Sequence, residues 1–317
     1  MRFMAINWRK GFGIVFGKYR ECCFFEQVYM PYVTRGTGMS GMLYLCATPI
    51  GNLEDITFRV VETLKSVDVI AAEDTRNSLK LLNHFQIKTP MTSYHEYNRV
   101  EKAHYLIGMM QEGKDVALIT DAGTPAISDP GETLVSFCHE AGIRVTSLPG
   151  AAACITGLTL SGLSTRRFCF EGFLPQDKRE RRAVLEELAR ESRTIIVYEA
   201  PHHLVKTLEG LKDVLGNRKL TICRELTKKF ETVMPITLEG ALAYYEQNEP
   251  RGEYVLVIQG KSLEEKKEEA VLAWKEISIE EHMQYYEGQG IERKEAMKRV
   301  AKDRNIGKRD VYRMLLS

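Results

Sequence analysis

Residues 116–131 read VALITDAGTPAISDPG. The apolar run Val116 to Ile119, bounded by turn formers, describes a buried strand. The stretch behind it, TDAGTPAISDPG, is a loop at that strand's carboxyl end, the edge at which an open α/β sheet binds its ligands.

Working outward, strands and helices alternate. Leu43 to Ala47 and Asp68 to Ala72 read as strands and Met91 to Tyr94 as a short one. Val145 to Leu148 closes the set and ends in PGAAA. Ile56 to Val67 carries apolar residues at Phe58, Val61, Leu64 and Val67, the spacing of one helix face. Leu79–Phe85, Arg99–Gln111 and Glu132–Ala141 continue the helical pattern, the last two stopped by Gly113 and Gly142. Such alternation predicts a parallel sheet with its loops gathered along one edge.

The polar stretch LSGLSTRR at 160–167 marks a joint. Beyond it, Phe168–Phe173, Thr194–Tyr198, Lys219–Arg224 and Tyr254–Gln259 read as strands. Glu180–Ser192, His203–Leu215 and Leu238–Tyr245 read as helices. The expected organisation is an N-terminal α/β domain over 42–160, a second α/β domain over 161–260 and a basic helical tail over 261–317. The tail opens on a charged helical linker, KSLEEKKEEA. Its last 29 residues hold nine Lys or Arg against four Asp or Glu. Ala296, Val300 and Ala301 share one helix face, Ile306-Gly307 makes a turn, and Val311, Met314 and Leu315 form a second apolar side. That is either a helix-turn-helix shape meeting phosphates or a small capping bundle with a solvated basic face.

Composition sets bounds. At 317 residues and 44% hydrophobic the chain can bury a sizeable core, and its length favours two domains. A net charge of +1 confines any nucleic-acid footprint to a local patch. The seven Cys contain no CxxC pair and read as reduced thiols of a cytoplasmic protein. The seven His show no ligand spacing, so no metal is expected.

Residues 1–41 fit no periodic template and read as an extension, with Met39 or Met42 as the natural start; native peptides from before Met39 would refute this. Their apolar stretch is too short for a membrane span. GTGMSG at 36–41 satisfies GxGxxG by letter, but a strand follows it where the dinucleotide fingerprint needs a helix.

Three further loops, ATPIGNLED, AEDTRNS and PGAAA, stand beside TDAGTPAISDPG at strand ends. Their glycines admit close backbone approach and their prolines fix turns. Residues 120–131 hold no Lys or Arg, which suits a nucleoside-bearing cofactor with a zwitterionic tail better than a polyphosphate.

TPIGNLEDIT, AEDTR, TDAGTPAISDPG, LPGAAA, FEGFLP, YEAPH, RELTKKFE and RGEYVLVI, in this order, resemble the small-subunit ribosomal RNA methyltransferase I branch of the tetrapyrrole-methylase superfamily. The resemblance covers roughly residues 43–317. It implies a cytoplasmic homodimer of two α/β domains with a cofactor cleft between them and a small C-terminal helical region. The activity it implies is S-adenosylmethionine-dependent methylation of a cytidine ribose 2'-oxygen in the decoding region of 16S rRNA, in the 30S subunit. It places Asp121, Ala122, Gly123, Thr124, Ile127 and Ser128 at the cofactor, Pro49 beside it, and Tyr198, Glu199, Ala200 and Leu226 on the second-domain wall.

Methyl transfer to a hydroxyl is an in-line displacement helped by a proton acceptor or a nearby cation. Among the ionisable residues of the strand-end loops, Asp74 or Glu225 is expected as acceptor and Lys228 as electrostatic aid. Arg76, with Lys308, Arg309 and Arg313 of the tail, is expected to grip phosphate. The family commonly has Pro at 151 and Arg at 203, where this chain has Ala151 and His203. Two other readings stay open, a small-molecule tetrapyrrole methylase and a non-catalytic ribosome-assembly factor binding RNA through residues 289–317.

Overall fold

The computed structural model describes residues 40–316. Apart from Ser40, Gly41 and Met42, the residues of the expected extension, its alternative start and the GTGMSG stretch lie outside the described residues, as do Cys22 and Cys23.

Strands β1 (Met42–Cys46), β2 (Val69–Ala72), β3 (Met91–Ser93), β4 (Val116–Ile119) and β5 (Arg144–Leu148) form one sheet ordered β3-β2-β4-β1-β5. All its neighbours are parallel. Helices α1 (Phe58–Ser66), α2 (Thr75–His84), α3 (Arg99–Gln111) and α4 (Gly131–Glu140) cover it. Every residue of β2 and β4 is buried, as a strand covered on both faces requires. The twofold alternation of the strands sorts the side chains. Leu43, Leu45, Val116 and Leu118 pack with Leu106 and Met110 of α3 and Leu134 of α4. Cys46, Ala117 and Ile119 pack on the other face with Val60 and Leu64 of α1 and Leu82 of α2.

Helix α2 starts four residues ahead of its first periodic apolar residue, Leu79, because the Asp74 side chain accepts the Arg76 amide and caps it. Helix α5 (Ala153–Leu160) was not anticipated. Its sequence, ACITGLTL, lacks a polar face, and it packs Cys154 and Leu158 against Ile196, Cys223, Val255 and Val257 of the second sheet. Gly157 permits that approach, since a Cβ there would lie 2.8 Å from Val255 Cγ1.

The second sheet, β6 (Phe168–Phe173), β7 (Thr194–Glu199), β8 (Lys219–Arg224), β9 (Thr232–Thr237) and β10 (Tyr254–Ile258), runs β6-β7-β10-β8-β9. Only β6 and β7 pair in parallel. Strand β9 is the edge strand that sequence periodicity did not reveal; it tolerates Pro235 because one of its sides is unpaired. Helices α6 (Lys178–Arg190), α7 (Leu204–Leu215) and α8 (Leu238–Tyr245) cover the face opposite α5.

Helix α9 (Leu263–Lys275) extends the charged linker, and α10 (Ile279–Glu287), α11 (Arg293–Asp303) and α12 (Lys308–Met314) follow. The expected helix-turn-helix pair is α11–α12. The unforeseen α10 makes it a three-helix bundle around Met283, Ala296, Val300 and Val311. Among the described residues, no helix is long and apolar enough to cross a membrane, and no group of three His, Cys, Asp or Glu is placed to hold a metal.

Candidate active site

The carboxyl ends of β1, β2, β4 and β5 open into the four loops singled out in the sequence. Two of them are tied together. The Thr48 amide donates to the Gly123 carbonyl at 2.9 Å, the Gly123 amide returns the bond at 3.1 Å, and the Thr48 hydroxyl reaches the Thr120 carbonyl at 3.1 Å. Gly123 has φ +88°, a conformation that favours glycine. A third loop joins through the Thr124 hydroxyl, which donates to the Ala151 carbonyl at 2.9 Å.

Asp129 organises the long loop. Its carboxylate accepts from the amides of Ala126 (2.9 Å), Ile127 (3.1 Å) and Gly131 (2.8 Å). This holds Ala126 and Ser128 at φ +68° and +64°, a conformation costing an L-residue about 1–2 kcal/mol. Sequence reasoning did not single out Asp129; the DPG turn was its only trace.

These loops face the ends of β6, β7 and β10 across a cavity of about 450 Å³. Of the expected cofactor contacts, Asp121, Ala122, Gly123, Thr124, Ile127, Ser128, Tyr198, Glu199, Ala200 and Leu226 all line it. Pro49 instead lines an adjoining cavity of about 280 Å³, which shares Thr120 and Asp121 with the first. Ile50, Phe173 and Val255 supply apolar wall that the sequence did not indicate. The Tyr198 hydroxyl accepts the Cys154 amide at 2.8 Å, and its ring packs edge-on against Phe170 and Phe173. Glu199 is buried, its carboxylate accepting from the Ala200 amide at 2.8 Å and from the Thr207 hydroxyl. Among the described residues, the lining holds Asp121, Asp129, Glu199 and Glu253 and no Lys, Arg or His.

Glu73, Asp74 and Asp121 stand together at the ends of β2 and β4. The Thr120 hydroxyl donates to Glu73 at 2.6 Å, and the Asp74 amide donates to Asp121 at 3.2 Å. Burial, and next the charge of Glu73, raises the Asp121 pKa. Asp74 goes the other way, because its hydrogen bonds with Arg76 lower its pKa. Neither Asp74 nor Arg76 is among the residues lining the main cavity.

Lys228 joins Glu225 (2.9 Å) to Glu253 (2.8 Å) on the rim. Burial pulls the ammonium down, but the bonds to Glu253 and Glu225 outweigh it and hold its pKa up. Burial likewise pushes Glu225 up, and the Glu253 amide and Lys228 outweigh it to bring its pKa down. Glu225 and Thr227 have φ +53° and +64°. The first loop abuts this turn, since a Cβ on Gly51 would fall 2.5 Å from Lys228 Cγ. Of the cations expected on the tail, Arg309 and Arg313 are exposed on α12 and Lys308 is half-buried at its start; none lines the cavity.

The sequence profile of the family described as Tetrapyrrole (Corrin/Porphyrin) Methylases matches residues 42–242. The chain is 48% identical over 272 residues to the ribosomal RNA small subunit methyltransferase I of Halalkalibacterium halodurans, covering 86% of this chain and 93% of that protein. It is 48% identical over 277 residues to the protein of that name from Synechocystis sp., covering 87% and 98%. It is 45% identical over 277 residues to the one from Bacillus subtilis, covering 87% and 94%. Its fold is similar to that of a diphthine synthase (TM-score 0.55, 15% identity, 70% of this chain and 91% of the other). The methyltransferase CobJ is similar in fold too (TM-score 0.54, 18% identity, 70% and 95%).

Proposed function

This chain belongs to the tetrapyrrole methylase family, and from that premise we propose that it methylates small-subunit ribosomal RNA with S-adenosylmethionine held in the 450 Å³ cavity. The observation that carries the reading is the convergence of loop 121–128 and the β7 end on one cavity whose lining has carboxylates and no cation. Such a wall suits a positively charged sulfonium and an ammonium group and disfavours a polyphosphate. When bound, the cofactor supplies an electrophilic methyl group.

The residues divide the remaining work. Ile50, Leu226 and Val255 provide apolar surface, while Asp121 and Glu199 offer acceptors to ribose hydroxyls or an ammonium. The adjoining 280 Å³ cavity is where the acceptor nucleoside sits, because it meets the cofactor cavity at Thr120 and Asp121. Asp121 is therefore the carboxylate placed to take the hydroxyl proton, and its raised pKa makes it the better base. Asp74 and Glu225, with lowered pKa values, serve as fixed anions that orient Arg76 and Lys228. Lys228 braces the rim by bridging Glu225 and Glu253.

The acceptor atom in this reading is the 2'-oxygen of a decoding-region cytidine, the substrate the 30S subunit, and the enzyme a cytoplasmic homodimer. Labelled methyl transfer to 30S particles from cells lacking the gene, followed by nucleoside mass analysis, tests it. Label on the ribose of one cytidine is expected. Absence of transfer to RNA, with cofactor binding intact, would refute the reading in favour of a small-molecule acceptor.

A further inference from the structure

A second cleft of about 410 Å³ runs between α6 and α7, apart from the cofactor cavity. Helix α6 opens on Lys-Arg-Glu-Arg-Arg at 178–182, and its Asp177 cap accepts the amides of Arg179 and Glu180. Leu185 and Gly210 line the cleft where the two helices come close, a Cβ on Gly210 falling 3.2 Å from Leu185 Cδ1. Its lining includes the cations Lys178, Arg181, Arg182 and Lys206 against the carboxylates Glu186 and Asp213. The charge is opposite to that of the cofactor cavity, whose lining holds no cation.

We propose that this cleft takes the sugar-phosphate backbone of the RNA substrate. Three observations converge on a polyanionic strand. The cations are spread over two helices on long exposed stems, with Lys178, Arg182 and Lys206 all exposed, which suits successive phosphates. The Arg182–Glu186 pair at 2.8 Å is solvent-exposed on both sides and worth little, so a phosphate can displace the carboxylate. Arg181 donates to the Thr207 hydroxyl at 2.5 Å, and Thr207 donates to Glu199 in the cofactor cavity wall. Backbone held in the cleft therefore lies one hydrogen-bonded relay behind the reaction site. The inference rests on the rRNA reading above and adds a surface apart from the basic tail; His203, which ends the YEAPHH stretch where the family commonly has Arg, lines it.

The test is fluorescence anisotropy of the full-length protein with a labelled transcript of the small-subunit decoding region, titrated over a range of salt. Arg182→Gln/Lys206→Gln removes two cations from the cleft. Lys65→Gln/Lys114→Gln, elsewhere on the surface, matches it in net charge. For the cleft variant we expect at least about tenfold weaker RNA binding and a salt-dependence slope shallower by about 1.4, at about 0.7 per single-strand phosphate contact. Cofactor affinity, measured calorimetrically, stays within about twofold, which also certifies folding. A cleft variant that binds RNA like the wild type, or no more weakly than the control pair, overturns the cleft while leaving the rRNA reading intact. A wild-type protein that binds neither the transcript nor 30S particles overturns both; where it binds only the particles, the same variants are compared on them.

Discussion

Tyr198→Phe should destabilise the protein by about 1.5 kcal/mol while leaving every other contact of the ring in place. The reason lies at the start of α5. Its cap residue, Ala152, has no side-chain acceptor, and the Cys154 amide in the first turn donates instead to the Tyr198 hydroxyl at 2.8 Å. A tyrosine of the second sheet thus caps a helix that leads out of the first. Losing an N-cap acceptor costs about 0.5–2 kcal/mol, and stranding a buried amide about 1–3. In a chain of this size 1 kcal/mol moves the melting midpoint by about 2–4 °C, so a fall of about 3–6 °C is expected. Burial raises the phenol pKa, so the hydroxyl stays protonated and the difference holds across roughly pH 6–9. Urea unfolding by circular dichroism, with scanning calorimetry, measures both. A loss below about 0.5 kcal/mol with an unmoved midpoint would mean that cavity water satisfies the Cys154 amide equally well, and the capping argument fails.

Gly123→Ala places a Cβ 3.3 Å from Ile50 Cγ2 at φ +88°, and relieving that strain of about 1–2 kcal/mol should cost roughly tenfold in cofactor affinity; calorimetric affinity equal to wild type would show that the Thr48–Gly123 bridge is not part of the cradle. Lys228→Ala leaves Glu225 and Glu253 facing each other unbridged, and turnover should drop about tenfold or more with cofactor affinity changed less than about threefold. A steady-state assay in which only affinity falls contradicts the role given to Lys228. His282 is fully buried, stacked 3.7 Å from Trp274 and bonded by Arg304 at 3.1 Å; burial and then Arg304 lower its pKa. The unfolded chain therefore binds the proton more tightly, and the stability this neutral imidazole contributes is present above about pH 6.5 and lost as pH falls below it. An NMR titration midpoint for His282 at or above 6.5, or α10 amides equally protected at pH 5 and 7.5 after correction for intrinsic exchange, would count against this.

The first sheet was legible because its strands obey simple rules. Val116–Ile119 and Val69–Ala72 are unbroken apolar runs between turn formers, and Arg99–Gln111 carries its helical stripe between clean boundaries. Legibility failed where a segment's partner lies far away in sequence. Helix α5 carries apolar residues on its exposed side too, at Ile155 and Leu160, so no amphipathic period marks it. Strand β9 hides behind Pro235, admissible only at an edge, and edge position is a property of the whole sheet. Most of the cavity-lining loop could be proposed from motif resemblance. Its geometry could not, since the left-handed residues Ala126 and Ser128 carry no glycine signal and are held by Asp129, itself unremarked in sequence. The tail misled in part, because its basic character includes Arg304, which is buried and donates to the Ile277 and Ser278 carbonyls.

The strain around the cavity has a pattern that bears on how it works. Left-handed non-glycine residues occur on the 120–131 loop, at Ala126 and Ser128, and on the β8–β9 turn, at Glu225 and Thr227. Each turn is locked by carboxylates: Asp129 accepts three amides on one side, while on the other Glu225 accepts the Glu253 amide and Glu231 the Thr227 amide. Backbone in such conformations persists only where its surroundings over-determine it. Here those surroundings are the chain's own carboxylates, so the ordering of the cavity wall falls on folding rather than on binding. A rigid, anionic cavity can then hold a small cationic cofactor without help from the RNA. The large polyanion, which that same cavity would repel, must be held by cations elsewhere on the surface. The separation of a cation-free cavity from the Lys178–Lys206 cleft meets both needs, and it follows from placing opposite charges at separate sites of one molecule whose net charge is only +1.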